Sequence, residues 1–371
     1  MNMLGPLDDT LWHQIAEPFE HVGTSDPRFF DRYWFAIYDP AGQGAMQFTM
    51  GSYNNMNVLD GGVVMVRDGT QHNLRASRAL RPRLEPEVGP MRVEPTVPLE
   101  ELRVILAPGG HSIACDLVWR AELAPEIEKP HVERERGRVA QDYQRFNQVG
   151  VVDGWITVGD EGLTVDGWWG GRDHSWGVRP AMGIPEPVTG PPRRHSEVGT
   201  LFYFLFFSTN RRAGHVQIME RGSERVYLTG LIRDRHAPDV DRHVTQADLS
   251  LEFFAGTRRF SSADMAVSLD DGGSLRLCST PLGSAVAMAG LGYSGGWNDE
   301  LGLGVYRGES CLEHEIWDVS HPADVVPATG EVFTPMHRIA PVTVTTDDGD
   351  ETGTGSLTMI ANGRLPQYGL D

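Results

Sequence analysis

Turns punctuate this chain at short intervals, and the segments between them are too short for long helices. Asp39-Pro40-Ala41-Gly42, Asp68-Gly69, Pro108-Gly109-Gly110, Gly159-Asp160-Glu161-Gly162 and Asp270-Asp271-Gly272-Gly273 each close a run of β-type residues. Ser112 to Leu123 alternates with period two, placing Ile113, Cys115, Leu117, Trp119 and Ala121 on one face. Gly44 to Tyr53 is the expected hairpin partner of the aromatic segment Arg32 to Asp39. Leu201 to Phe207 is apolar at both parities, which predicts a strand buried on both sides and central in its sheet. One short helix is expected over Leu11 to Glu17, stopped by Pro18. Residues 124–138, rich in proline and charge, read as a solvated loop or edge element. The 43 glycines and 24 prolines supply the turns and show no period of three. The expected fold class is all-β: two antiparallel β-barrel or curled-sheet domains packed together, 1–190 and 191–371. The division falls near residue 190, in a proline-rich loop over 180–196 that is a candidate lid.

Charge and cysteine content exclude several partners. The formal net charge is −19, from 51 acidic and 32 basic residues. Nucleic acid or an anionic bilayer needs a basic footprint, so neither is expected. Three scattered cysteines make neither a disulfide framework nor a zinc cluster, which suits reducing surroundings. The longest apolar run is too short to span a bilayer, and the start has no basic, apolar leader. A cytoplasmic protein without an integral membrane segment is expected, its oligomeric state open. No cofactor is expected, because no dinucleotide or phosphate-loop fingerprint occurs. A metal is not expected either. Cys311-x-x-His314 lacks a second half, and on a strand only Glu313 and Glu315 of that region point together.

One stretch concentrates chemistry: Trp168-Trp169-Gly170-Gly171-Arg172-Asp173-His174-Ser175-Trp176-Gly177-Val178-Arg179. A carboxyl walled by Trp168, Trp169 and Trp176 loses solvation, and its pKa rises. That would make Asp173 a general acid near neutral pH. The competing reading pairs Asp173 with Arg172 or Arg179 as a buried strut. On an extended backbone Asp173 and His174 point to opposite faces, unless the strand breaks at Gly170-Gly171. His174 is either an acid/base group or a structural hydrogen bonder. Arg172 and Arg179 are candidates to position a substrate oxygen. Ser175 lies in no familiar hydrolase pattern. A second cluster, Tyr53, Asn54, Asn55, Asn57 and Asp60, is either turn chemistry or the polar rim of a pocket.

Gly171 to Arg179, the Tyr53-Asn54-Asn55-x-Asn57 to Asp60-Gly61 stretch and the terminal Tyr368-Gly369-Leu370 carry a family resemblance. The chain resembles the superfamily of carotenoid 1,2-hydratase (hydroxyneurosporene synthase) and the AttH-like proteins, with terpene-cyclase-like and Diels–Alder-type relatives. The resemblance implies two lipocalin-like barrels and a small hydrophobic substrate of terpenoid, steroid or polyketide origin. It also implies cofactor-free hydration, isomerisation or cyclisation, with Asp173 as acid beside His174 and Trp176. Two alternatives stay open. One is a non-catalytic lipocalin-like carrier. The other is a lyase or isomerase acting on an oxygenated aromatic or steroid, with His174 or Tyr53 as base.

Overall fold

A computed structural model describes residues 4, 6–11, 13–135, 137–183, 198–293, 296–297, 299, 301–346 and 349–370. The candidate lid and the expected division near 190 fall largely outside the described residues. The fold is all-β. In the first half run β1 (Phe29–Tyr38), β2 (Ala45–Tyr53), β3 (Val58–Arg67), β4 (Thr70–Ala79), β5 (Glu87–Val88) and β6 (Met91–Val97). They are followed by β7 (Glu101–Leu106), β8 (Ile113–Ala121), β9 (Glu126–Ile127), β10 (His131–Glu135), β11 (Arg138–Val158) and β12 (Glu161–Val178). The second half contains β13 (Thr200–Thr209), β14 (Arg212–Arg221), β15 (Glu224–Asp234), β16 (Ala237–Phe253), β17 (Phe260–Leu269), β18 (Ser274–Pro281) and β19 (Val286–Ala287). Then come β20 (Cys311–Asp318), β21 (Val326–Pro327), β22 (Arg338–Thr346) and β23 (Thr352–Asn362).

The second-half sheet has nine strands in the order β18-β17-β16-β15-β14-β13-β23-β22-β19. An additional β18–β22 pairing closes all but β19 into a ring. The first sheet has 14 strands and stays open, in the order β21-β20-β4-β3-β2-β1-β12-β11-β8-β7-β6-β5, with β9 and β10 on β11. The expected hairpins formed: β1 pairs with β2, and Asp68-Gly69, both at positive φ, joins β3 to β4. The alternation of β8 is also as read, with Ile113, Cys115, Leu117 and Trp119 in the inner core of the first sheet. No helix forms over residues 11–17 among the described residues; the helical turn there is the short 3-10 turn Pro6–Asp9. Leu11, Ile15 and Ala16 of that stretch are exposed, so among the described residues no buried apolar face rewards a helix.

β13 is central, between β14 and β23. Leu201, Tyr203, Leu205 and Phe207 fill the barrel, while Phe206 faces outward onto the first sheet. A shared core lies between the sheets: Trp34, Ala36, Tyr38 and Trp169 from the first meet Phe206, Ala213 and Ile339 from the second. The segment 124–138 departs from the solvated reading. β9 and β10 are edge pieces on β11, but Glu128 and His131 are each 2% exposed. Their partners explain the burial. Glu128 accepts from Arg145 Nη2 at 2.8 Å and from Asn147 Nδ2 at 2.5 Å, and its Oε2 lies 2.9 Å from His131 Nε2.

Candidate functional site

β12 stays extended from Glu161 to Val178, straight through Gly170-Gly171. The glycines do not break the strand; they allow both faces to be packed. A Cβ at Gly171 would lie 2.4 Å from Trp169 Cη2 and 2.9 Å from Phe206 Cδ1, and one at Gly170 would lie 2.7 Å from Trp119 Cδ1. The central stretch is therefore inside a long strand, not in a loop after a short one. Its side chains divide by parity. Trp168, Arg172, His174 and Trp176 face the interior of the first sheet, whereas Trp169 and Asp173 face the second sheet.

This division corrects the expected tryptophan wall. Trp168 joins the inner core, and Trp176 packs edge-on against His174 and Phe146, both across the sheet from Asp173. Trp169 shares Asp173's face but stacks on Tyr38, with centroids 5.4 Å apart. The indole beside Asp173 is Trp34, its direct cross-strand partner on β1. Asn147 of β11 is the partner on the other side. Arg32 and Arg145 both oppose Ser175, which makes them the diagonal neighbours of Asp173.

Asp173 lies deep in the protein yet keeps part of its surface accessible. Among the described residues, no donor lies within hydrogen-bonding distance of its carboxyl and no cation within ion-pair distance. Burial pushes its pKa up; Arg145, Arg179 and Arg32 pull it down and the Glu128 charge adds to the rise, and the net direction is upward. The strut reading with Arg172 fails on geometry. Arg172 points to the other face, donates from Nε and Nη2 to Gln148 Oε1 at 3.0 and 2.6 Å, and stacks on Trp119 at 4.8 Å. Burial without a carboxylate partner lowers its pKa to about 10. His174 Nε2 lies 2.6 Å from Asp31 Oδ1, beside Tyr33. It is no partner of Asp173.

Arg179, just past β12, stacks on Phe30 at 4.6 Å and makes no hydrogen bond or ion pair among the described residues. Its charge acts on Asp173, Tyr53, Tyr143, His131 and His337, which puts it among the buried polar groups. Tyr143, Arg179, Tyr293 and His337 keep partial accessibility, like Asp173. Arg32 lies under the Tyr293 ring at 4.8 Å, and among the described residues none of its three side-chain nitrogens has a hydrogen-bond partner. Tyr293 packs edge-on against His337, whose pKa burial lowers to about 4.

Tyr53 donates to Asp60 Oδ1 at 3.2 Å, and Asp60 Oδ2 accepts from the Gly304 amide at 2.7 Å. Burial raises the Tyr53 pKa well above its ordinary value, with the Asp60 charge adding to it. Such a phenol is a donor, not a ready base. Asn54 and Asn57 follow the turn reading. Asn57 adopts φ 55° and accepts from the Arg81 amide at 3.0 Å, while the Asn54 carbonyl accepts from Arg81 Nη1 at 3.1 Å. Neither reaches the Asp173 cluster. Among the described residues, no group of three or more His, Cys, Asp and Glu could hold a metal ion.

A family model matches residues 4–371. The chain belongs to DUF8625, a family of unknown function. No curated protein matches it. Two solved structures are similar over most of their length. One is kievitone hydratase from Nectria haematococca, 11% identical with TM-score 0.49, covering 92% of each chain. The other is CghA with Sch210972, 10% identical with TM-score 0.53, covering 91% of this chain and 89% of that one. At 10% identity the CghA likeness shows a shared fold.

In this DUF8625 chain the sequence motif supplied Asp173 and Arg179, but not the residues around them. Arg32, Trp34, Glu128, His131, Tyr143, Arg145, Tyr293 and His337 went unmarked. One signal was available. On β1 the stripe Phe30, Arg32, Trp34, Ala36, Tyr38 is apolar but for one cation, and a lone charge on a buried stripe marks a site.

Proposed function

We propose that the protein is a cofactor-independent acid/base enzyme, a hydratase, isomerase or cyclase, acting on a largely apolar, alkene-containing molecule. Terpenoid, steroid and polyketide-derived compounds fit that description, and the motif resemblance to carotenoid 1,2-hydratase favours the same class. The observation that carries the reading is the Asp173 carboxyl: deep but partly accessible, without a hydrogen-bond or ion-pair partner among the described residues, and raised in pKa by burial. In the proposed step the alkene π pair takes the Asp173 proton, forming one C–H bond and leaving a cation on the other carbon. In this reading an aromatic face beside Asp173 stabilises that cation, and Trp34 is its direct cross-strand neighbour. The new Asp173 carboxylate is stabilised by Arg145, Arg179 and Arg32. Addition of water, with the oxonium proton returned to the Asp173 carboxylate, gives hydration; loss of a neighbouring proton to that carboxylate gives isomerisation; and attack by a second alkene forms a ring and a new cation, which loses a proton to the same carboxylate. Arg179 is the residue we assign to a polar oxygen of the substrate, because its guanidinium has no other partner among the described residues.

The test is deuterium uptake. The protein is incubated in deuterium oxide with a panel of isoprenoid, steroid and polyketide-derived alkenes, and products are read by mass spectrometry. Deuterium should enter at carbon in the wild type and stay at background in Asp173→Asn, with unchanged circular dichroism. Undiminished uptake in that variant would remove Asp173 from the mechanism.

A further inference from the structure

A cavity that does not include Asp173 lies at the end of the closed barrel. It measures about 390 Å³, and Phe260, Ala340 and Met359 of the barrel core form part of its wall. Arg259 and Arg338 also line it. None of its lining residues belongs to the Asp173 cluster.

The two arginines are unusual in what they lack. Arg338 is 3% exposed, and among the described residues its terminal nitrogens donate only to carbonyls, including His321 at 2.7 Å, Ala285 at 2.6 Å and Val319 at 3.0 Å. Its Nε is buried without a partner among those residues. Arg259 donates to the Met336 carbonyl at 3.0 Å and to the Pro335 carbonyl. Among the described residues neither forms an ion pair. Asp324 acts on Arg338 from a distance, but its carboxylate is engaged by Thr334 and His321. Burial lowers both guanidinium pKa values to about 10. Carbonyl oxygens satisfy the hydrogen bonds but leave two formal charges uncompensated beside an apolar hollow. Barrel mouths of this kind hold amphipathic ligands.

We propose that this cavity binds an organic anion with a long apolar body, its carboxylate facing Arg259 and Arg338 and its chain against Phe260, Ala340 and Met359. The charge requirement follows from the missing counter-ion and the apolar body from the rest of the wall. This site is separate from the proposed chemistry at Asp173 and does not depend on it.

The experiment uses the whole protein and two fluorescent probes, cis-parinaric acid and its neutral methyl ester. The acid should bind one per chain, at least about tenfold more tightly than the ester, since a buried charge pair is lost with the ester. Arg259→Gln should erase that preference and leave ester binding unchanged. Ser284→Trp, at the cavity wall but outside the barrel core, should block both probes. Asp173→Asn should change neither. Equal affinity for acid and ester, an unchanged preference in Arg259→Gln, or loss of acid binding in Asp173→Asn would each overturn the proposal. The last result would move the probe to the Asp173 cluster without touching the deuterium test.

Discussion

Two buried carboxyls, Asp173 and Glu128, should respond to pH with opposite sign. Burial lifts Asp173 above its ordinary 3.8, so the folded chain holds a proton that the unfolded chain releases. Stability contributed by this group is greatest below that value and falls as pH rises toward the folded pKa. Asp173→Asn should therefore melt above wild type at pH 7 in calorimetry, with the gap closing near pH 3.8. Burial would lift Glu128 too, but Arg145, then the His131 hydrogen bond, hold its carboxyl well below the usual 4.5. Its stabilisation is present above 4.5 and is lost as pH falls toward the folded value. Glu128→Gln at pH 7 strands the Arg145 cation and should cost about 3–5 kcal/mol in urea unfolding. The sequence hinted at the first carboxyl and hid the second. Asp173 sits in a dense motif, whereas Glu128 lies in a run of prolines and charges that looks solvated. Its burial depends on Arg145 and Asn147, which β11 brings in from further along the chain.

Among the elements, β12 decides the site by remaining a strand. Alternation was legible for β8, and burial on both faces for β13, because their apolar patterns are plain. It was not legible for β12, because Gly170-Gly171 carries no parity and reads as a break. Packing supplied what the pattern lacked: Trp169 and Phe206 crowd one face of the glycines and Trp119 the other. Gly171→Ala should therefore cost about 1–3 kcal/mol, with the urea midpoint lowered and the m-value unchanged. If the variant matched wild type, the close approach of Phe206 to β12 would not be real. The same persistence separates His174 from Asp173. His174→Ala should lose the Asp31 contact and leave deuterium uptake at Asp173 intact.

At the scale of the molecule, the two sheets are tied by a strand that crosses between them. β20 belongs to the second half of the chain but pairs with β4, the outermost first-half strand on that side of the first sheet. Its alternation puts Glu313 and Glu315 on one side, as read from sequence, and both reach Arg75 Nη2, at 3.1 and 2.5 Å. Arg75 is fully buried. A chain ending at residue 183 would leave β4 as an open edge and Arg75 as a buried cation without its carboxylates. It would also expose the apolar face of Trp34, Tyr38 and Trp169, which the second sheet covers. Such a fragment should be recovered only as aggregate, and the whole chain should unfold in one calorimetric transition with matching van't Hoff enthalpy. Glu313→Gln with Glu315→Gln should lower that single melting temperature without splitting it. Two resolved transitions, or a soluble fragment with native near-ultraviolet dichroism, would mean that β20 decorates the first sheet without holding the halves together. The Asp173 cluster would then need another account, since its members come from both sides of that joint: Asp173, Arg32 and Tyr143 on first-sheet strands, Tyr293 and His337 on the segments that β20 interrupts.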